Sequence, residues 1–205
     1  MRILHATPSL SIYAGGPSRS ITELCRNLEP LSDSVGLVRP SGDVNEIAMP
    51  SEIQSVFLVK NELLNRNGGK INFSDHDVIH SHSLWLPFSH KITAIAQKQK
   101  IPLVISARGM LEPWCLNHSK LKKRIAWWLY QKADLEKAVA FHATATAEAE
   151  NIRRLGFKQP IAVISNGVEL PILDQSLVIS DRSSTKTALF LSRIHPKKGL
   201  LMLLE

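Results

Sequence analysis

A chain of 205 residues, with 25 Lys and Arg against 18 Asp and Glu, a net charge of +7 and 44% hydrophobic residues, can hold one medium domain, or one domain and part of a second, around a sizeable core. The positive balance favours anionic partners such as phosphates, nucleotides, nucleic acid or an anionic membrane face, against the plainer reading of a basic surface with no dedicated partner. No apolar run approaches the roughly 20 residues that span a bilayer, "MRILHATPSL" lacks the apolar centre of a signal peptide, and Cys25 and Cys115, with no CxxC, are expected as free thiols in a reducing compartment.

"RILHAT" predicts a buried strand. It runs into the Gly-bearing loop "PSLSIYAGGPSRS", after which Ile21, Leu24, Cys25 and Leu28 fall at helical spacing. "SVGLVRP" and "IQSVFLV" predict further strands, with polar, Gly-containing stretches between and after them, including "NRNGGK". "HDVIHSHS" predicts a short strand entering a loop with two histidines, and Pro87 suits the first turn of a helix over "PFSHKITAIAQKQK". "IPLVISARG" is a strand ending in a small polar turn, and "NHSKLKKRIAWWLYQKADLEKA" is one long helix. "VAFHATA" is a strand, "TAEAENIRRLGF" a helix with Gly156 at its C-terminal stop, and "PIAVISNGV" another strand. Strands alternating with helices at this spacing imply an α/β fold, a Rossmann-like, doubly wound and mostly parallel sheet. Residues 1–170 are expected to form that domain and 171–187 a linker. Residues 188–205 are expected to open a second domain, with the strand "ALFL", a basic loop and an apolar helix starting near Gly199.

Ligands of open α/β sheets bind outside the carboxyl ends of the strands, so the motifs at those ends carry the candidate chemistry. Gly15 and Gly16 let backbone approach a ligand just before a helix N-terminus, which favours anions. The absence of GxGxxG argues against a nicotinamide cofactor and an oxidoreductase. Alternation places His80 and His82 on one face. No third ligand with matching spacing is evident, so no metal is expected, and His82, nearer the loop, is the functional candidate, with His80 equally readable as a hydrogen-bonded core residue. Arg19, Arg108 and Glu112 are candidate contacts to an anionic or polyhydroxylated ligand, with Glu112 readable as an acid or base and equally as a helix cap or an arginine partner. Trp114 reads either as a stacking platform or as core filling.

The helix "HSKLKKRIAWWLYQK" presents Leu121, Ile125, Trp128 and Leu129 as one apolar face among Lys120, Lys122, Lys123 and Arg124. Its spacing assigns that stripe to the core; the other reading is docking on an anionic membrane surface. Arg193 and Lys198 in "SRIHPKKG" are spaced to reach one diphosphate. No helix-turn-helix, RNP-type or zinc signature accompanies the charge, so nucleic acid is not expected.

Taken in order, "GGPS", "DVIHSHSLW", "ARGMLEPW", "ISNGVE" and "FLSRIHPKKG" resemble a family 4 glycosyltransferase of the GT-B fold, over nearly the whole chain. The likeness is greatest to bacterial enzymes of polysaccharide or lipopolysaccharide assembly. The resemblance implies two Rossmann-like domains facing a cleft, retaining transfer from a nucleotide-sugar to a glycan or lipid-linked acceptor, and no metal or other cofactor. It implies a cytoplasmic location, with peripheral contact at the inner face of a membrane. Gly15 and Gly16 match the loop that closes over the donor diphosphate and acceptor. His82 matches the second histidine of the strand-end motif, near the transferred sugar, and is the candidate catalytic residue. Arg193 and Lys198 match the pair that neutralises the diphosphate. Glu169 stands where the family has Asp in NGVD. The family's two-carboxylate motif and nucleotide-binding residues fall beyond residue 205, so this chain alone is expected to have little or no transferase activity. The alternative is a non-catalytic module that binds a glycan, a lipid phosphate or a membrane surface.

Overall fold

Short apolar runs bounded by Gly, Pro, Asn and Ser have one economical way to bury themselves, which is as neighbouring strands under helices. The computed structural model describes residues 1–40, 45–49, 51–59, 62–65, 69–168, 189–192, 194 and 198–204. Its strands are β1 (Arg2–Ala6), β2 (Ser34–Pro40), β3 (Gln54–Val59), β4 (Glu62–Asn65), β5 (Lys70–Ile71), β6 (Val78–Ser81), β7 (Leu103–Ser106), β8 (Ala140–Ala143) and β9 (Ile161–Val163). They form one sheet in the order β5-β4-β3-β2-β1-β6-β7-β8-β9. All neighbours are parallel except the β3–β4 and β4–β5 pairs. The expected Rossmann-like, mostly parallel sheet is therefore the fold observed.

The helices are α1 (Gly16–Leu28), α2 (Pro87–Gln99), α3 (Pro113–Asn117), α4 (Lys120–Ala126), α5 (Lys132–Glu136), α6 (Thr146–Arg154) and α7 (Leu200–Leu204). Ile21 and Cys25 of α1 pack with Val35 and Leu37 of β2, so the helical spacing read in the sequence marks the buried face. Pro87 opens α2, where its missing N–H costs nothing, and Gly156, at φ 93°, takes the left-handed conformation just past α6. The main core gathers Leu4, Ile79, Ile92, Leu103, Leu135 and Phe141.

Four expectations need correction. The polar stretch around "NRNGGK" borders two short strands, β4 and β5, that add an antiparallel edge; runs of four and two residues are too short for alternation to reveal. The long helix is interrupted: Ser119 sits at φ 56° between α3 and α4, and Trp127–Gln131 forms a π-helical turn between α4 and α5. The stripe assigned to the core is in solvent, with Leu121, Ile125, Trp128 and Leu129 exposed by 71, 53, 77 and 75%. The core instead receives Leu135 and Ala138 with half-buried Trp127, which repeat at helical spacing on the opposite side. Finally, Leu189–Leu191 form no strand, and Leu189 and Leu191 are exposed. A strand exists through its neighbour's ladder, and the described residues of that part of the chain offer none.

The chain divides into two compact units, Met1–Gly167 and Val168–Glu205. In the second, α7 begins one residue after Gly199, and its Leu201, Met202, Leu203 and Leu204 are exposed. Residues 171–187, Ala188, Glu169 and Arg193 lie outside the described residues. No helix among the described residues is long and apolar enough to cross a membrane.

A buried ion pair shapes the loop that follows β1. Arg39, near the end of β2, is buried with its guanidinium 4.5 Å from the Phe57 ring centre, and donates from Nε and Nη2 to Glu46 Oε1 and Oε2 at 2.6 and 2.5 Å. The segment carrying Glu46 pairs with the loop: Ile12 N donates to Asn45 O at 3.0 Å and Ile47 N to Leu10 O at 2.9 Å. Glu46→Ala leaves a buried guanidinium without its carboxylate. We expect a loss of roughly 3 kcal/mol, the low end for breaking a buried pair because Glu46 keeps some solvent contact. Urea unfolding measures the loss, and hydrogen exchange should show faster exchange at the Ile12 and Ile47 amides. An unchanged unfolding midpoint would contradict this role.

Candidate functional site

Strand order reverses at β1, which pairs in parallel with β2 on one side and β6 on the other. The crevice above the carboxyl ends at such a reversal is where open α/β sheets bind ligands. Register decides which side chains gather there. His5 of β1 lies opposite His80 of β6, and His82 N, one residue past β6, donates to Ala6 O at 2.9 Å. Three imidazoles are thereby drawn together, with ring centres 5.2 Å apart for His5–His80, 5.1 Å for His5–His82 and 4.0 Å for His80–His82.

The cluster is tied by short hydrogen bonds. His5 Nδ1 and His82 Nε2 are 2.8 Å apart. Arg108 reaches His82 Nδ1 with Nε and Nη2 at 3.3 and 3.2 Å. On the other side, Ser106 Oγ lies 2.7 Å from His80 Nε2 and 2.8 Å from His142 Nδ1, while His142 Nε2 donates to Ile164 O at 2.9 Å. Burial first, then the charge of Arg108, pushes His5 down from 6.5 to about 4. Burial is also the main cause that holds His80 and His82 well below the usual imidazole range, with the neighbouring histidines and Arg108 adding to it. The cluster is a neutral, desolvated floor beside one fixed cation.

Arg108 is held by several elements. Arg108 and Gly109 are both in the left-handed region, at φ 47° and 76°. Buried Glu148 of α6 fixes that turn, its Oε1 accepting from Gly109 N at 2.6 Å and its Oε2 from Thr144 N at 2.7 Å. Arg108 Nη1 donates to Ser20 Oγ of α1 at 2.9 Å and to Asn166 Oδ1 at 3.2 Å. Burial draws the guanidinium down from its ordinary value, and Glu148 opposes that shift.

The paired glycines have unequal roles. Gly15, at φ 85° and ψ −149°, occupies a conformation essentially reserved for glycine. Gly16 starts α1, and an added Cβ there would meet nothing within 4 Å. The loop can therefore dispense with the second glycine but not the first.

Of the other residues singled out in the sequence, Arg19 is exposed beside Ser20, and Glu112 occupies the N-cap position of α3. Trp114 stacks on His118 at 5.6 Å between ring centres. Lys120, Lys122 and Arg124 are exposed, whereas Lys123 donates to Cys115 O and lies 5.6 Å from the Trp85 ring centre. Lys198 is exposed in the second unit. Sequence reasoning missed His5, Ser20, Ser106, His142, Glu148 and Asn166. His5 had one available signal, its place near the end of the first strand. Glu148 had none, because a helical glutamate ordinarily reads as solvent-facing.

His5, His80 and His82 each offer a nitrogen within 4.8 Å of the others, so the fold supplies the third histidine that spacing did not reveal. The donor chemistry fits a metal poorly. His82 already has both nitrogens engaged, and a cation would have to share the cluster with the Arg108 guanidinium.

The sequence profile of Glycosyltransferase Family 4 matches residues 14–171. No curated protein matches the chain. Among solved structures, Anabaena Alr3699/HepE in complex with UDP is similar at 15% identity and a TM-score of 0.54, over 82% of this chain and 45% of that one. The same protein in complex with UDP and glucose gives 14% identity and a TM-score of 0.52, with the same coverage. This chain thus spans less than half the length of the HepE structures, and at such identity the likeness concerns the fold.

The depressed histidines link folding to pH. Their folded values lie below the unfolded value, so the unfolded chain takes up protons that the folded chain refuses. Stability is complete above about 6.5 and falls as pH drops from there towards 4. At pH 5 the loss from His5 alone is about 2 kcal/mol relative to pH 7, and His80 and His82 add to it in the same direction. Urea unfolding midpoints between pH 7 and 5 test this; a midpoint that does not move would contradict the buried, neutral cluster.

Proposed function

The chain belongs to Glycosyltransferase Family 4, and we propose that it forms the acceptor-side half of a retaining, nucleotide-sugar-dependent hexosyltransferase of bacterial polysaccharide or lipopolysaccharide assembly. The observation that carries this reading is a convergence. Ser20 near the start of α1, Arg108 and Asn166 meet beside the His5–His80–His82 cluster at the reversal point of a parallel sheet.

Breaking the bond between a sugar and a diphosphate builds negative charge on the leaving group and positive charge on the sugar. Fixed donors and helix N-termini stabilise the first without reorganising. In this reading the Gly15–Gly16 loop and α1 face the diphosphate and acceptor, and His82 lies beside the transferred sugar. Arg19, Arg108 and Glu112 contact the acceptor, and Arg193 and Lys198 neutralise the diphosphate from the donor side. The reaction needs no metal or other cofactor, and its partners are a nucleotide-sugar and a glycan or lipid-linked acceptor. The UDP and glucose bound by HepE support the choice of donor.

The reading is tested by a transfer assay with a panel of nucleotide-sugars and lipid-linked or glycan acceptors. A protein joining these residues to a nucleotide-binding half is expected to transfer sugar, and the 205 residues alone to transfer little or none. Clear transfer by the 205 residues alone would overturn the division of labour. No transfer by the joined protein would favour the non-catalytic binding module.

One observation favours a membrane contact within the same reading. The stripe of Leu121, Ile125, Trp128 and Leu129 is exposed, and Lys120, Lys122 and Arg124 flank it on the same helix. Apolar side chains entering the acyl boundary beside cations that meet anionic headgroups are the pattern of a helix lying in an interface. In this reading the protein works in the cytoplasm at the inner face of the membrane, where a lipid-linked acceptor would present its head. Flotation with vesicles containing anionic phospholipid should recover the chain at low salt. Lys120→Glu, Lys122→Glu and Arg124→Glu together should abolish recovery, and Trp128→Ser should reduce it several-fold. Equal recovery by neutral vesicles would contradict the electrostatic part, and no recovery by either kind would remove the membrane contact.

A further inference from the structure

Hydrogen-bond chemistry decides which nitrogen of His82 carries its proton. A guanidinium has five N–H donors and no acceptor. Arg108 places two of those donors, Nε and Nη2, at 3.3 and 3.2 Å from His82 Nδ1. That nitrogen must therefore be the unprotonated one. The ring's single proton is on Nε2, which lies 2.8 Å from His5 Nδ1, so His82 donates and His5 accepts. His5 in turn carries its proton on Nε2, an atom buried without a hydrogen-bond partner. The chain of bonds has one direction, from the cation at its outer end to the orphaned N–H of His5 at its inner end.

We propose that Arg108 is the positioning residue of this site: it holds His82 in the Nε2–H form, turns that proton inward to His5, and keeps Nδ1 as an acceptor beside the guanidinium donors. Three elements fix Arg108 for this task. Glu148 of α6 grips the turn through Gly109 N, Ser20 of α1 accepts from Nη1, and Asn166, past β9, accepts from the same nitrogen. With its turn held from α6, the guanidinium cannot swing away without breaking its bonds to Ser20, Asn166 and His82.

The use of this arrangement rests on the glycosyltransferase reading. The lone pair of His82 Nδ1 is taken up by Nε and Nη2, so an oxygen of a sugar or phosphate entering beside Arg108 would meet a guanidinium whose donors are already fixed in direction. Were His82 to carry its proton on Nδ1 instead, donors would face each other and the guanidinium would lose the acceptor that orients it. The assignment itself stands apart from turnover, because it concerns the protonation of one ring in the free chain.

Long-range proton–nitrogen correlation spectra of the chain labelled with 15N-histidine test it. The His82 signals are assigned by their loss in His82→Asn. We expect a single His82 tautomer at pH 7, protonated on Nε2. Arg108→Met should remove the preference and give averaged or doubled His82 signals. Arg108→Lys, whose ammonium also only donates, should restore the wild-type pattern. A His82 protonated on Nδ1 in the wild type would overturn the proposal, as would an Arg108→Met spectrum matching wild type or a failure of Arg108→Lys to restore it. The wild-type spectrum decides the tautomer even if a variant fails to fold. A chain with the expected tautomer and no role in transfer would refute the functional reading while leaving the positioning role intact.

Discussion

The site depends on β1 being held from both sides. Its parallel ladders to β2 and β6 set Ile3, Leu4, His5 and Ala6 in fixed register with Val35–Val38 and Val78–Ser81. Because a shift of one residue would send every side chain to the other face of the sheet, this register alone brings His5 to His80 and leaves His82 at the exit. The same pairing makes β1 the point where strand order reverses, and so opens the crevice above it. On that frame the Arg39–Glu46 pair shapes the loop after β1, and Arg108, in a turn gripped by Glu148, bonds Ser20 of α1.

The crevice has an unusual electrostatic composition. Three imidazoles are kept neutral by burial and by one another, and a single guanidinium is kept charged beside them with Glu148 in support. Burying so many polar groups is costly unless each finds a partner. Most do, through Ser106, His142, Ser20 and Asn166. Among the described residues, the buried side-chain atoms without a hydrogen bond are His5 Nε2 in the cluster and Arg39 Nη1, Ser55 Oγ and Asp134 Oδ1 outside it. Within the cluster, the unpaired N–H of His5 is the one local cost against stability, of the kind functional sites commonly carry.

Much of the fold was legible because its strands are short apolar runs between turn residues and its helices have one buried face. The alternation of strand and helix, Pro87 at the start of α2 and Gly156 after α6 all rest on local chemistry that the residues carry with them. What escaped was set by tertiary packing. Strands β4 and β5 are too short for periodicity to distinguish. In the α4–α5 region both faces are apolar, so Leu121, Ile125, Trp128 and Leu129 matched a core stripe as well as Trp127, Leu135 and Ala138 do, and only packing chose between them. In the site, His80, His82 and Arg108 were visible at strand ends. His5, Ser106 and Glu148 came into view only once register and helix placement had put them within hydrogen-bonding distance.

Family membership, the reversal point of the sheet and the direction of the hydrogen bonds all bear on one claim, that ligands bind where α1, Arg108 and Asn166 meet. Amide chemical-shift mapping of the 15N-labelled chain with UDP-glucose tests it most directly. The account predicts that the largest shifts fall at Gly15–Ser20, Arg108–Gly109 and Asn166. Shifts confined to the open groove of α6 and β9, lined by Thr146, Arg153, Arg154 and Val163, would contradict it.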